Sequence, residues 1–358
     1  MRDQARRYIW ESGDATATAI RVLLAPLRAA FAAGVALRNA AYDRELLPSQ
    51  TLALPTLGVG NLTVGGTGKT PISAWIASQL SQHGARPAIV LRGVGNDETL
   101  VHRHLNPGIP VLVDADRVLG VERARDAGAT VAVLDDGFQH RRARRDADIV
   151  LLSADRFGPV RMLPAGPWRE PLSSLARANA VVVTRKSVTP ALACEVLEKA
   201  MGFAPQAFGA VLELAPDALV DVATGERHPV GVIENRAVLA ISAIGDPGAF
   251  ESQLRALSAR VSSAALADHH DYSASEAASL AALVTPGTWA VCTLKDAVKL
   301  AELWPREAPP LWYLSQRVRV ESGADDLSRV VASFAARTTP QGNATPTPVG
   351  PTIDANVP

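Results

Sequence analysis

The chain has 358 residues, of which 47 % are hydrophobic and 20 % charged; this is enough apolar material for a substantial core and two domains, and it excludes a disordered or fibrous protein. Its 36 Lys and Arg balance 36 Asp and Glu, so bulk charge gives no reason to expect a nucleic-acid partner, and any anion must be met by a local cluster. Cys194 and Cys292 both sit in apolar stretches, which argues against a disulfide framework or a cysteine metal site and suits a reducing, cytosol-facing location.

At the N-terminus, Arg2, Arg6 and Arg7 are followed by Glu11, Ser12, Gly13 and Asp14 before any apolar stretch, a poor match to a secretory signal. Within residues 1–40, Ile20, Leu23, Leu24, Leu27, Phe31 and Val35 recur at helical spacing with Arg21, Arg28 and Arg38 at the flanks. That stripe suits a helix lying on a bilayer, and equally one packed on the protein's own core. Short apolar runs at 54–59, 88–91, 111–113, 131–134, 149–152 and 181–183 alternate with helical stretches. The alternation predicts an α/β fold whose first domain, 41–207, holds a mostly parallel sheet of the P-loop NTPase type. Residues 208–232, broken by Pro216, Gly225 and Pro229, read as a β-rich connector. A smaller α/β domain follows over 233–337, with strands at 238–241, 289–293 and 311–314, helices at 247–257 and 275–283, and a C-terminal helix. The Pro- and Thr-rich tail 338–358 has the composition of a disordered segment.

The chemistry begins at Gly60 to Thr70, which follow a predicted strand and precede a helix expected to end at Gly84. Glycines there let backbone N–H groups converge on a phosphate, and the helix N-terminus adds positive partial charge. Thr63, Val64, Gly65, Gly66, Thr67, Gly68, Lys69 and Thr70 form the expected nucleotide cradle, with Lys69 reaching the β- and γ-phosphates of ATP and Thr70 ligating Mg²⁺. The strict motif asks for glycine where this chain has Thr63; Gly65 and Gly66 stand in. A second strand ends in Asp135 and Asp136, placed to hold Mg²⁺ or its waters at the sheet edge. Gln139, His140, Arg141, Arg142, Arg144 and Arg145 follow, a solvated face or a site for an anionic substrate or lipid headgroup.

Five segments in order carry a resemblance to the tetraacyldisaccharide 4′-kinases: the loop 60–71, LeuAspAspGlyPheGlnHis at 134–140, LeuProAlaGlyProTrpArgGluPro at 163–171, AspHisHis at 268–270 and LeuLysAspAlaValLysLeu at 294–300. The resemblance runs from about Leu23 to Phe334. It implies a two-domain, membrane-associated enzyme that moves the γ-phosphoryl of ATP to the 4′-hydroxyl of a tetraacyl disaccharide 1-phosphate, giving lipid IVA. It further implies the cytoplasmic face of the inner membrane as location and the lipid A precursor as partner, without nucleic acid or an obligate protein partner. A catalytic base formed by Asp97 with His269 is carried over by position. The chain departs from the family at Val94 and Asn96, where Tyr and Gly are usual, in a shortened loop before Asp97, and at Leu294, where Glu is common.

Phosphoryl transfer gains most from alignment and positive charge. Arg169 and Arg117 are therefore expected to neutralise charge beside Lys69, with Glu170 and Gln139 completing the metal shell of Thr70, Asp135 and Asp136. Two other readings stand beside the kinase. A P-loop ATPase or GTPase acting as a switch or assembly factor would hydrolyse nucleotide without an acceptor, whereas a membrane-surface binding protein would use its nucleotide only for stability.

Overall fold

The computed structural model describes residues 2–93 and 97–337; Val94, Gly95 and Asn96 of the departing loop, and the tail 338–358, lie outside the described residues. Three helices open the chain: α1 (Arg2–Glu11), α2 (Ala15–Leu23) and α3 (Ala25–Asp43). Asp14 caps α2 by accepting from the Ala17 N–H at 2.7 Å. At Leu24 the path bends by 53°, with Pro26 in the first turn of α3, where its missing N–H costs nothing. The single helical stripe expected across 19–35 is thus divided. Phe31 and Val35 pack on the core, whereas Val22, Leu23, Leu27 and Leu37 are exposed. Among the described residues no single helix is long and apolar enough to cross a membrane; the bent pair α2 and α3 passes that test only by joint length and composition.

The next elements alternate as expected: β1 (Gln50–Thr51), β2 (Thr56–Asn61), α4 (Lys69–Gln82), β3 (Pro87–Leu91), α5 (Asp97–Leu105), β4 (Val111–Val113), α6 (Arg117–Asp126), β5 (Val131–Asp135), β6 (Ala143–Arg144), β7 (Ala147–Ser153), β8 (Ala180–Arg185) and α7 (Pro190–Met201). The second half comprises β9 (Phe208–Asp221), β10 (Arg227–Pro229), β11 (Ala237–Ser242), α8 (Pro247–Ala256), β12 (Arg260–Ala265), α9 (Ala274–Ala282), β13 (Thr288–Cys292), α10 (Leu294–Leu300), β14 (Leu311–Ser322) and α11 (Ala324–Ala336). One sheet runs through both halves in the order β12-β11-β13-β14-β9-β8-β7-β2-β5-β3-β4, with β10 against β9 and β1 pairing β6 apart from it. Along that path every pair is parallel except β14 with β9.

Alternating side chains feed two layers. Ile149, Leu151 and Val182 face a core completed by Ile72 and Ile76 of α4 and Leu327, Val331 and Phe334 of α11. Val150, Leu152, Val181 and Val183 face the opposite one, with Val196 of α7. The sequence groups α11 with the smaller domain, yet it packs on the first half, because β14 returns the chain there. The connector expected as short extended pieces is mainly one 14-residue strand, β9; Pro216 lies beside its register shift against β14, where a missing N–H is tolerated. In the fold, β2 sits where the chain turns from β3 and β5 on one side to β7 and β8 on the other, the point at which open α/β sheets bind ligands.

Candidate active site

Because β2 ends at Asn61 and Val59 pairs with Asp135, the glycine-rich loop and the end of β5 emerge side by side. Gly68 takes φ 80° at the entry to α4, a left-handed turn that costs other residues free energy. Asn61 Nδ2 donates to Thr67 Oγ1 at 2.8 Å, and Thr184 Oγ1 donates to the Thr67 carbonyl at 2.9 Å. The segment 163–171 is pinned to the loop by Val64 N–H to Pro167 O at 2.8 Å and Arg169 N–H to Leu62 O at 2.7 Å. That backbone pinning delivers the Arg169 guanidinium, whose two nitrogens donate to the Asp136 carboxylate at 2.9 and 3.2 Å and which also donates to Asn61 Oδ1.

Lys69 Nζ lies 3.6 Å from Asp136. Burial pushes the Asp136 carboxyl up, but Lys69, Arg169 and Arg117 together outweigh it and hold the group well below the usual carboxylate range. Arg117 is itself buried, donating to the Asp114 carbonyl at 2.8 Å, and desolvation lowers its pKa against the pull of Asp136 and Asp135. Asp135 meets His102 Nε2 at 2.8 Å with both side chains buried. Its other oxygen, Oδ1, has no partner among the described residues.

From the second half comes the loop bearing Asp268 and His269. Buried Asp296 accepts from the Ala243 N–H at 2.9 Å, and the Ala243 carbonyl accepts from the His269 N–H at 3.3 Å, so the loop is hung on the end of β11. His269 Nδ1 then reaches Asp97 Oδ2 at 2.9 Å. Asp97, in the first turn of α5, is 2 % exposed and accepts the Glu98 N–H at 3.0 Å. Lys295 and Lys299 each lie 3.3 Å from Asp97 Oδ2. Burial raises the Asp97 pKa; the His269 hydrogen bond and the two lysines overcome this and keep it ionised. The same hydrogen bond raises the pKa of His269, opposed by desolvation and Lys295. Lys295 Nζ is also 3.3 Å from His269 Nε2. An ammonium only donates, so Nε2 accepts and the proton of neutral His269 sits on Nδ1, facing Asp97.

A cavity of about 500 Å³ joins these parts. Of the expected residues, Val64 to Thr70, Arg117, Asp135, Asp136, Arg169 and His269 line it, and Asp97 stands directly behind His269. Thr63 bridges to Trp168 instead. Gln139 and Glu170, expected in the metal shell, are not among the lining residues: Gln139 Nε2 donates to the Asn61 carbonyl at 2.8 Å, and Glu170 is ion-paired with Arg177 and accepts from Asn39 at 2.9 Å. The roles of Lys295, Lys299, Asp268 and His102 were not anticipated. Lys295 and Lys299 stand four apart on α10, hence on one helical face, which is the signal that finds them. The glycine pair in the loop has a packing reason. A Cβ on Gly66 would lie 3.1 Å from Asp246 Cβ, and one on Gly245 would lie 2.9 Å from the Gly66 nitrogen, so the loop meets the second half at backbone distance.

Among the described residues no cluster of three or more His, Cys, Asp or Glu would hold a metal by itself. The Thr70 hydroxyl and the orphaned Asp135 Oδ1 fit an ion such as Mg²⁺, which keeps its waters and takes most other oxygens from phosphates.

The tetraacyldisaccharide-1-P 4′-kinase family model matches residues 20–99 and 93–334. Tetraacyldisaccharide 4′-kinase of Anaeromyxobacter dehalogenans strain 2CP-C is 39 % identical over 76 % of this chain and 79 % of its own. That of Halorhodospira halophila is 37 % identical over 88 % and 93 %. Among solved structures, LpxK from Aquifex aeolicus in complex with ATP superposes with a TM-score of 0.70 at 28 % identity, covering 88 % of this chain and 99 % of that one. The family model thus spans most of the chain, and the chain belongs to the tetraacyldisaccharide 4′-kinase family.

Proposed function

We propose that this chain transfers the γ-phosphoryl of ATP to the 4′-hydroxyl of a tetraacyl disaccharide 1-phosphate, giving lipid IVA and ADP. One observation carries the reading: the phosphate-binding loop of the first half and His269 of the second, hydrogen-bonded to buried Asp97, line a single cavity. A nucleotide switch has no use for the second.

The loop N–H groups and Lys69 bind the β- and γ-phosphates, while Arg169 and Arg117 face the charge that spreads over the transferring group. Thr70 and Asp135 would hold Mg²⁺, with Asp136 beside them; the ion, when bound, neutralises phosphate oxygens. The acceptor oxygen forms its bond to the γ-phosphorus as the bridging bond to the β-phosphate breaks and ADP leaves with the electron pair. Its proton passes to His269 Nε2, and Asp97 steadies the imidazolium that results. Since His269 comes from the second half, the site is complete only when the halves meet, which excludes water at the moment of transfer.

The division into a phosphate-binding unit over 41–207 and a smaller unit over 233–337, linked through β9, belongs to the same proposal. So does attachment to the cytoplasmic face of the inner membrane through the exposed leucines of α2 and α3, which would bring the site to its lipid. Incubating the protein with γ-labelled ATP, Mg²⁺ and the acceptor in detergent micelles tests the reading. Label is expected in the lipid; release of labelled phosphate alone, with or without acceptor, would transfer the case to the nucleotide-switch reading.

A further inference from the structure

Helix α1 has no part in the chemistry above, and it offers the core no apolar face: from Ala5 to Glu11 every side chain is exposed or half-buried. A polar helix of ten residues is marginal on its own, so its polar contacts decide where it lies. One end is fixed by α2, whose Arg21 donates to the Ile9 and Ser12 carbonyls, each at 2.7 Å, a cation at a helix C-terminus. Other contacts reach the segments that build the cavity. Trp10 Nε1 donates to the Pro164 carbonyl at 2.9 Å, on the first-half segment that delivers Arg169. Arg7 donates to the Ile244 carbonyl at 2.9 Å, on the second-half loop that follows β11. Glu11 accepts from Arg156 at 2.8 Å, and Arg156 gives its other terminal nitrogen to the Gly245 carbonyl at 2.9 Å. Ile244 and Gly245 come directly after Ala243, whose carbonyl holds the His269 N–H. The loop 243–246 is therefore gripped from two sides: Asp296 holds Ala243 from within the second half, and Arg7 and Arg156 hold the next two carbonyls from outside it.

We propose that α1 is a clasp across the two halves, in which Arg7 is a positioning residue: by holding the Ile244 carbonyl it keeps the loop 243–246, and through Ala243 the His269 imidazole, in register with the phosphate loop. The inference rests on the reading of His269 as the group that takes the acceptor's proton. Arg7 is not among the residues lining the cavity, so it acts through the loop and not on the substrate. A guanidinium is a planar donor that fixes the direction of the carbonyl it meets, and partial burial strengthens the contact. The margin it protects is narrow, since a displacement of about 1 Å in a reacting group can cost about a hundredfold in rate.

The full-length protein is compared as wild type, Arg7→Ala and Arg7→Lys by label transfer from γ-labelled ATP to the acceptor in micelles, by melting temperature, and by backbone hydrogen exchange over 243–246 and 266–270. Arg7→Ala should lower kcat about tenfold or more while the KM for ATP stays within about twofold, because Lys69 and the loop N–H groups are untouched. Its melting temperature should hold at the wild-type value, since water takes up a half-buried carbonyl released by Arg7. Exchange over the two segments should quicken by about tenfold as the loop opens locally. Arg7→Lys keeps a donor for the carbonyl and should recover most of the rate. Wild-type kcat in Arg7→Ala, or a loss that tracks a lowered melting temperature with exchange over the loop unchanged, would reduce α1 to a structural prop and overturn the inference. If wild type labels no lipid while exchange over both segments still quickens in Arg7→Ala, the clasp stands and the kinase reading alone falls.

Discussion

Asp97 and His269 face each other at 2.9 Å, and their coupling fixes the sign of the pH dependence. Because Asp97 raises the His269 pKa, the imidazole protonates and stops accepting as pH falls through a value above its ordinary pKa of about 6.5. The acid limb of kcat/KM should therefore have its midpoint above that value. Asp97→Asn removes the carboxylate and should move the midpoint down, on a lower plateau; Lys295→Met removes a cation that lowers the His269 pKa and should move it up. A limb that stays put in both variants would place the titrating base elsewhere. Arg169→Lys tests the fork on Asp136 separately. A single ammonium cannot hold both oxygens, and transfer should slow by about tenfold or more with the fold intact by circular dichroism. Lys69 was legible because a glycine-rich loop between a strand and a helix confines it to the helix start, and Asp135 and Asp136 because they close an apolar strand. Glu170 was not, for its partner Arg177 is seven residues away and only the folded chain shows their charges spent on each other.

At the scale of elements, the strands of the first half were readable because each is a buried apolar run, whereas β12 presents Ser262 and Ser263 in a mostly exposed edge strand and left no hydrophobic signal. The reach of β14 beyond residue 314 was hidden for a related reason: Val318 and Val320 alternate with Arg317 and Arg319, a half-buried pattern that a search for continuous runs passes over. The break between α2 and α3 was marked by Pro26, but the division of their apolar residues between core and surface depends on tertiary contacts. The seat of the phosphate loop makes a testable demand on β2. A Cβ on Gly60 would lie 2.4 Å from Phe138 Cβ and 2.9 Å from the Phe138 nitrogen. Gly60→Ala should thus destabilise the fold by about 1–3 kcal/mol through overpacking, read as a lower denaturation midpoint at unchanged slope.

For the whole molecule, two parallel half-sheets meet at the antiparallel β9 and β14, and the cavity lies where loops from both halves converge. The exposed apolar residues of α2 and α3 are what the proposed attachment to a membrane surface rests on. Leu23, Leu27 and Leu37 are 78 %, 59 % and 74 % exposed. Replacing all three by Asp should weaken binding to anionic vesicles by about tenfold or more while leaving the melting temperature unchanged; undiminished vesicle binding would assign membrane contact to another surface. The central claim is that the halves join to let Asp97 and His269 draw a proton from the acceptor as the phosphoryl group arrives from the loop. Its most direct test is the rate at which label from γ-labelled ATP enters the acceptor lipid in Asp97→Ala against wild type, with ATP affinity measured on the same preparations. The account predicts a loss of about a hundredfold or more in transfer at near-constant ATP affinity. Transfer at the wild-type rate in Asp97→Ala would contradict it.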